Sequence, residues 1–370
     1  MDRRALAALS RRSFLVTVCA ALPAAEIDGK GRVFPSFVKR FADPATENPI
    51  LRLTDPAHTS FLPPSYARAF ARRGNFLLYT SNQAGGFEAF RLDLKNGQSR
   101  QLTASEDFDV HSFTLFGEDR YLAHFDGSSL LETHLANLRT REIYRIPEGF
   151  ERGRGLGVSE DSQFAAVIEK KEKLHRLQLV HIGNGSAAKL AEGEEELRDP
   201  IPRPRRASIL YRRGSAVWLA NYDGGQNYRL KLAEGQIGPA LWSPDGRTVL
   251  YLNYPSDPHQ LHAIREFTPD TNEDKLIAET SQYVAFAPNA DASVFVGASG
   301  SKASPYVLLL VRAVGREMTL AEHRASNAAM VAPIFSADSQ RVFYVTDRDG
   351  KPAIYSMSVA RLVEETASAN

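Results

Sequence analysis

Five arginines fall within eleven residues, in Arg203-Pro204-Arg205-Arg206 and Arg212-Arg213. Guanidinium groups take carboxylates and phosphates through paired N–H donors, so Arg205 and Arg206 are candidate contacts for an acidic sugar or another anion. The same charges have a second use, to answer the acidic run Glu194-Glu195-Glu196. His58, Tyr66, Arg68 and His111 precede apolar segments early in the chain, and Glu322-His323-Arg324 does so near its end. If those segments line one channel, Arg68, His111, His323 and Arg324 become further candidates for binding. His259, His262 and Glu266 offer two imidazoles and a carboxylate within eight residues. On a strand His262 and Glu266 share a face that His259 does not, so a polar hairpin is the better reading than a metal site. Gly297-Ala298-Ser299-Gly300-Ser301 lacks the last glycine of a nucleophile elbow. The glycine-rich Arg152–Gly157 reads as a connecting loop without the strand-then-helix setting of a nucleotide site.

Composition narrows the field. Lys plus Arg number 45 against 44 Asp plus Glu, a net charge of +1, which argues against broad phosphate neutralisation and hence against nucleic acid. One cysteine excludes a disulfide framework and any Cys-based metal centre. No apolar run approaches the roughly 20 residues of a membrane span.

The elements that must position these side chains repeat. Trp242-Ser243-Pro244-Asp245-Gly246-Arg247-Thr248-Val249-Leu250-Tyr251 has an apolar anchor, a polar turn and a β-branched or aromatic run. Phe335–Tyr344 has the same length and order, and the frame recurs from Phe70, Leu115, Val158, Pro202 and Phe286. These seven anchors stand about 40–49 residues apart, the period of a four-stranded propeller blade. A second turn signal follows several anchors, as in Asp126-Gly127 and Asp347-Arg348-Asp349-Gly350. The expected fold is therefore all-β: a seven-bladed β-propeller of four-stranded antiparallel blades over residues 49–365. The last blade lacks an outer strand after Val359, and Pro49-Ile50-Leu51-Arg52-Leu53-Thr54 is expected to close it. A short terminal helix is expected over Val359–Glu365, then a tail at 366–370.

Residues 1–25 read as an address. Ser10-Arg11-Arg12-Ser13-Phe14-Leu15 is a twin-arginine pattern, followed by an apolar stretch to Leu22 and Pro23-Ala24-Ala25. Residues 26–48 form a lead-in. Removal of the signal takes away Cys19 and leaves a slightly acidic chain, expected in the periplasm or secreted.

The Trp242–Arg247 turn and Thr346–Tyr355 resemble TolB-type, WD40-like propeller repeats. Over roughly 300 residues the layout is similar to the bacterial oligogalacturonate lyases, from Leu51-Arg52-Leu53-Thr54-Asp55 through Tyr79–Leu94 and Val217–Gly224 to Ala332-Pro333-Ile334-Phe335-Ser336 and Ile354-Tyr355. That resemblance implies pectin-fragment breakdown by β-elimination. It also implies a Mn²⁺ ion held by histidines and a glutamine in the last two blades, and an imidazole base. At the matching positions this chain has Asn327 for the glutamine, Met330 and Ala332 for two imidazoles, and no histidine near Tyr283. Pro239 stands for the base and Ala216 for a substrate-binding arginine. Met, Ala and Pro replace imidazole neither as ligand nor as base. The expectation is a family propeller with no metal ligands or cofactor and no assignable catalytic residue. The alternative is a non-catalytic propeller binding an acidic oligosaccharide or a protein partner.

Overall fold

A computed structural model of the protein describes residues 29–362, apart from 73, 74, 258 and 361. The expected export signal, the C-terminal tail and most of the expected terminal helix lie outside these residues. The described residues form seven antiparallel sheets in chain order around one axis, a seven-bladed propeller. Blades 1–6 have inner strands at Ser60–Phe61, Phe108–Phe116, Glu151–Val158, Leu197–Pro202, Gln236–Trp242 and Tyr283–Pro288. Blade 7 begins with Ile334–Phe335.

The anchors Val158, Pro202, Trp242 and Phe335 end inner strands, and the turn that follows shows why the repeat has its composition. Ser243 donates to the Asp245 carboxylate at 2.6 Å, which accepts the Arg247 N–H at 3.0 Å. The Ser243 hydroxyl oxygen also accepts the Thr248 N–H at 3.0 Å. Gly246 is left-handed at φ +70°, and a Cβ there would lie 2.4 Å from the Pro204 carbonyl oxygen of the neighbouring blade. The second strands are covered on both sides by other blades. Phe76–Ser81 is buried at every position, which is why it reads as a continuous apolar run.

Closure uses the N-terminal strand. Pro49–Arg52 lies beside Ala353–Ser358 with Leu51 opposite Ser356 and Arg52 opposite Tyr355. The Leu53 N–H donates to the Ile354 carbonyl at 2.8 Å, and the Ile354 N–H to the Thr54 hydroxyl at 2.9 Å. The segment read as a lead-in supplies two further strands. Lys39–Ala42 pairs outside Pro49–Arg52, and Val33–Phe34 pairs with Ser99–Gln101 of blade 1. Directly after Lys39–Ala42, buried Asp43 accepts the Ala45, Thr46 and Glu322 N–H groups and lies 3.6 Å from Arg348. Blades 6 and 7 are thereby joined through the N-terminal segment.

Ile50, fully buried in this strand, tests the closure. Ile50→Ala is expected to lower stability by about 2–5 kcal/mol, the range for large-to-small core changes, in urea denaturation followed by fluorescence.

Candidate functional site

Inner strands run from one mouth of the channel to the other, and their starts carry a shared irregularity. The pairing with the second strand slips between Phe108 and Phe113, Arg152 and Leu156, Arg198 and Ile201, Ile237 and Ala240, and Tyr283 and Ala285. A bulge re-aims the extra residues away from the ladder. In blades 2–5 these residues include His111, Arg154, Asp199, Gly238 and Pro239, and all five line one cleft of about 430 Å³. That volume falls within the roughly 300–1,000 Å³ of small-molecule sites.

The glycines of Arg152–Gly157 belong to this geometry; the segment is an inner strand, not a connecting loop. A Cβ at Gly157 would meet the Pro200 carbonyl oxygen at 2.3 Å, and one at Gly155, with φ +100°, would meet the Tyr66 hydroxyl at 2.9 Å. Small residues let blade 4 and Tyr66 approach while Arg154 turns into the cleft.

Three guanidinium groups converge there. Arg198 donates to Asp199 at 2.8 Å, and Arg154 lies 3.5 Å from the same carboxylate. Arg212, opposite Arg198 in the blade 4 ladder, is only 8 % exposed. It donates to the carbonyls of Ser215 at 3.4 Å, Ile237 at 3.2 Å and Gly238. Among the described residues no carboxylate reaches it within ion-pair distance; Asp199 acts on it only at longer range. Burial and then the Arg198 charge push Arg212 down to about 10, so it stays cationic at neutral pH. Two phenols complete the walls. Burial and then Asp199 hold the Tyr66 hydroxyl well above its ordinary value, and burial pushes Tyr254 up to about 12. Both are proton donors at neutral pH. The cleft therefore offers a carboxylate a cationic end beside the apolar Ile201, Val217 and Ile237.

The residues singled out from sequence scatter around the ring. His111 lines the cleft, and Tyr66 forms part of its wall. Arg68 is ion-paired to Asp119 in a turn after an inner strand. Arg205 and Arg206 occupy another such turn at the opposite mouth, where Arg206 meets Asp270 at 2.9 Å. His323 is buried away from the cleft: one ring nitrogen donates to the Ser299 carbonyl at 3.1 Å and the other accepts the Ala325 N–H at 3.0 Å. Arg324 is turned to Glu322 at 2.7 Å. His262 lies against the Tyr283 carbonyl at 3.0 Å, while Glu266 holds Arg312 at 2.6 Å and His259 sits in an exposed turn. Arg154, Arg198 and Asp199 carried no motif; the alternation of Arg and Gly in Arg152–Gly157 was the one available signal.

The positions where the resemblance implies manganese do not fit it. The Asn327 side chain accepts the Ala329 N–H at 3.0 Å and caps the one-turn helix Ala328–Val331. Val331 of that helix is buried and Met330 packs against the core. Tyr283 is buried, and Pro239 is wall. No group of three or more His, Cys, Asp and Glu side chains that could hold a metal occurs among the described residues.

Comparison with known proteins agrees with the fold and layout. The family profile described as "Oligogalacturonate lyase" matches residues 28–178. An oligogalacturonide lyase of Pectobacterium atrosepticum is 25 % identical over 89 % of this chain and 98 % of its own length. An oligogalacturonate lyase of Dickeya dadantii is 22 % identical with the same coverage. The solved structure of an oligogalacturonate lyase in complex with manganese superposes with a TM-score of 0.84 at 23 % identity, over 89 % of this chain and 98 % of the other.

The histidines that lie away from the cleft set a pH dependence. Burial holds the His323 ring below its ordinary pKa and takes His124 down to about 3. Below about pH 6.5 the unfolded chain takes up protons that these folded imidazoles refuse, so stability is complete above that pH and falls as pH drops. Urea denaturation between pH 7 and 5 is expected to show a slope of up to about 1.4 kcal/mol per pH unit for each imidazole. His124→Gln is expected to remove at least half of that slope.

Proposed function

We propose that this chain, similar in sequence and fold to the oligogalacturonate lyases, binds short acidic oligosaccharides of pectin in the channel cleft without a metal. The observation that carries the reading is Arg212, a buried cation held by carbonyls in the wall of an open cleft, with no carboxylate in ion-pair reach among the described residues. A buried charge is stable when it is paired and hydrogen-bonded, and a uronate carboxylate supplies the missing partner. Arg198 and Arg154 add donors, already oriented by Asp199. The names of the relatives point to oligogalacturonates as the ligand class.

Arg212 also answers a question left by the resemblance. The position of the family's substrate-binding arginine is Ala216, which pairs with Arg213 across the blade 4 hairpin, next to the pair of Arg212 and Val217. A guanidinium reaches the cleft from the neighbouring strand instead. The positions of the metal ligands have no such replacement among the described residues; His111 is the one imidazole in the cleft wall, and Tyr66, held protonated, does not abstract a proton at neutral pH. That donor set favours binding without metal-assisted elimination. The twin-arginine pattern of residues 10–15 supports a site of action beyond the inner membrane.

Titration calorimetry of the purified protein with digalacturonate tests this. Saturable binding is expected, unchanged by chelator, weakened by salt and absent with an uncharged disaccharide. Arg212→Ala is expected to weaken it roughly 10- to 100-fold, the cost of losing charge-assisted hydrogen bonds. Unsaturated product that stops forming when chelator is added would overturn the reading, as would unchanged affinity in Arg212→Ala.

A further inference from the structure

A second groove, of about 600 Å³, lies at the opposite mouth between the turns of blades 3 and 4. Its position follows from the strand that carries the first site: Leu197–Pro202 starts at Arg198 in the cleft and ends in the Arg203–Arg206 turn. This strand of six residues spans roughly 20 Å.

The composition of this turn is unlike that of its counterparts. In four other blades the turn holds Asp161, Asp245, Asp291 or Asp338, each accepting the N–H two residues on at 3.0–3.1 Å. The aspartate position of blade 4 is Arg205, by the alignment of Pro202 with Trp242. The turn loses its side-chain acceptor and closes on a backbone contact of 3.4 Å from the Arg206 N–H to the Arg203 carbonyl. An arginine there does nothing for the turn. Arg203, in contrast, is structural: buried, it stacks 4.7 Å from the Trp242 ring and donates to the Gly246 and Arg247 carbonyls.

What Arg205 faces is a built surface. Phe164 and Tyr222 stand edge to face at 5.4 Å as partly exposed walls, and Arg72 contributes a second guanidinium from blade 1. Arg206 is neutralised by Asp270. Arg205 and Arg72 have no acidic partner within 4 Å among the described residues. Glu160 and Asp161 lie on the blade 3 wall, where Asp161 is engaged by Ser159 at 2.6 Å. One wall therefore donates to anions, the other accepts from hydroxyls, and aromatic faces lie between them.

We infer that this groove is a second binding site, for a longer acidic polysaccharide whose sugar rings rest on Phe164 and Tyr222 with carboxylates toward Arg205 and Arg72. The inference shares its ligand class with the proposed function but not its site, and the two fail separately. Affinity electrophoresis in gels containing polygalacturonate, beside digalacturonate calorimetry, separates them. The double variant Arg72→Ala/Arg205→Ala is expected to lose most of its retardation by polygalacturonate, about 5-fold or more. Its digalacturonate affinity is expected to stay within about 2-fold, because neither residue lines the cleft. Tyr222→Ala is expected to weaken retardation too, and Arg212→Ala to keep it. Wild-type retardation in the double variant overturns the inference. Equal competition by polyglutamate overturns it as well, since charge alone would then be recognised.

Discussion

The channel exists only because the ring is shut, and the ring is shut by one short antiparallel pairing between the two ends of the chain. Blade 7 draws Ile334–Phe335, Arg341–Thr346 and Ala353–Ser358 from the C-terminal side and Pro49–Arg52 from the N-terminal side. Without that strand the last sheet has an open edge, and no geometric demand holds blade 1 against blade 7. The pairing is short, but it is reinforced where a short pairing is weakest. The Thr54 hydroxyl takes up an N–H beyond the ladder, and buried Asp43 ties blade 6 to the same segment. Arg52 adds an ion pair to Asp349 at 3.1 Å.

A closed ring imposes a second constraint. Inner strands converge on the axis, and the slips near the starts of five of them release residues from the ladder where space opens at the mouth. The cleft is made of those released residues together with the return end of one second strand, which brings Arg212. Chemistry on this scaffold therefore depends on which residue types occupy five bulges. In blades 3 and 4 they include the charged Arg154 and Asp199; in blade 6 the released residue is Val284.

This division explains what the sequence could and could not reveal. Anchors such as Trp242 and Phe335 were legible because a Ser–Asp turn and a buried strand leave a joint signature of turn chemistry and apolar run. The closing strand was legible because Pro49–Thr54 alternates and the last unit was one strand short. Lys39–Ala42 was not, since Lys-Arg-Phe-Ala on an outer edge carries little periodicity. The bulges were invisible for a related reason: an extra residue breaks the alternation by which strands are recognised. Arg152–Gly157 then looks like a loop, although its glycines answer Pro200 and Tyr66. The adjacency of Arg198 and Arg212 is a matter of register, set across a hairpin rather than along the chain. His323 misled in the opposite direction: a polar residue ahead of an inner strand turned inward to a carbonyl.

The guanidiniums of the cleft and a bound divalent ion would meet one electrostatic requirement by two chemistries. A uronate needs positive charge at its carboxylate. Three guanidiniums with Asp199 and Glu196 paired to them leave a formal charge near one, less than that of a divalent ion, spread over several ångströms and fixed by protein hydrogen bonds. Spread charge of this kind holds a carboxylate well through paired donors. It polarises the adjacent carbon acid less than a directly coordinated ion does, because the Coulomb term falls with distance and shared geometry. Elimination also needs a base whose pKa lies near the working pH. The phenols of this cleft are displaced away from that range by burial and, for Tyr66, by Asp199. Recognition and turnover thus make separate physical demands: the guanidiniums of this cleft suit a carboxylate, while its phenols, held protonated, do not act as bases at neutral pH.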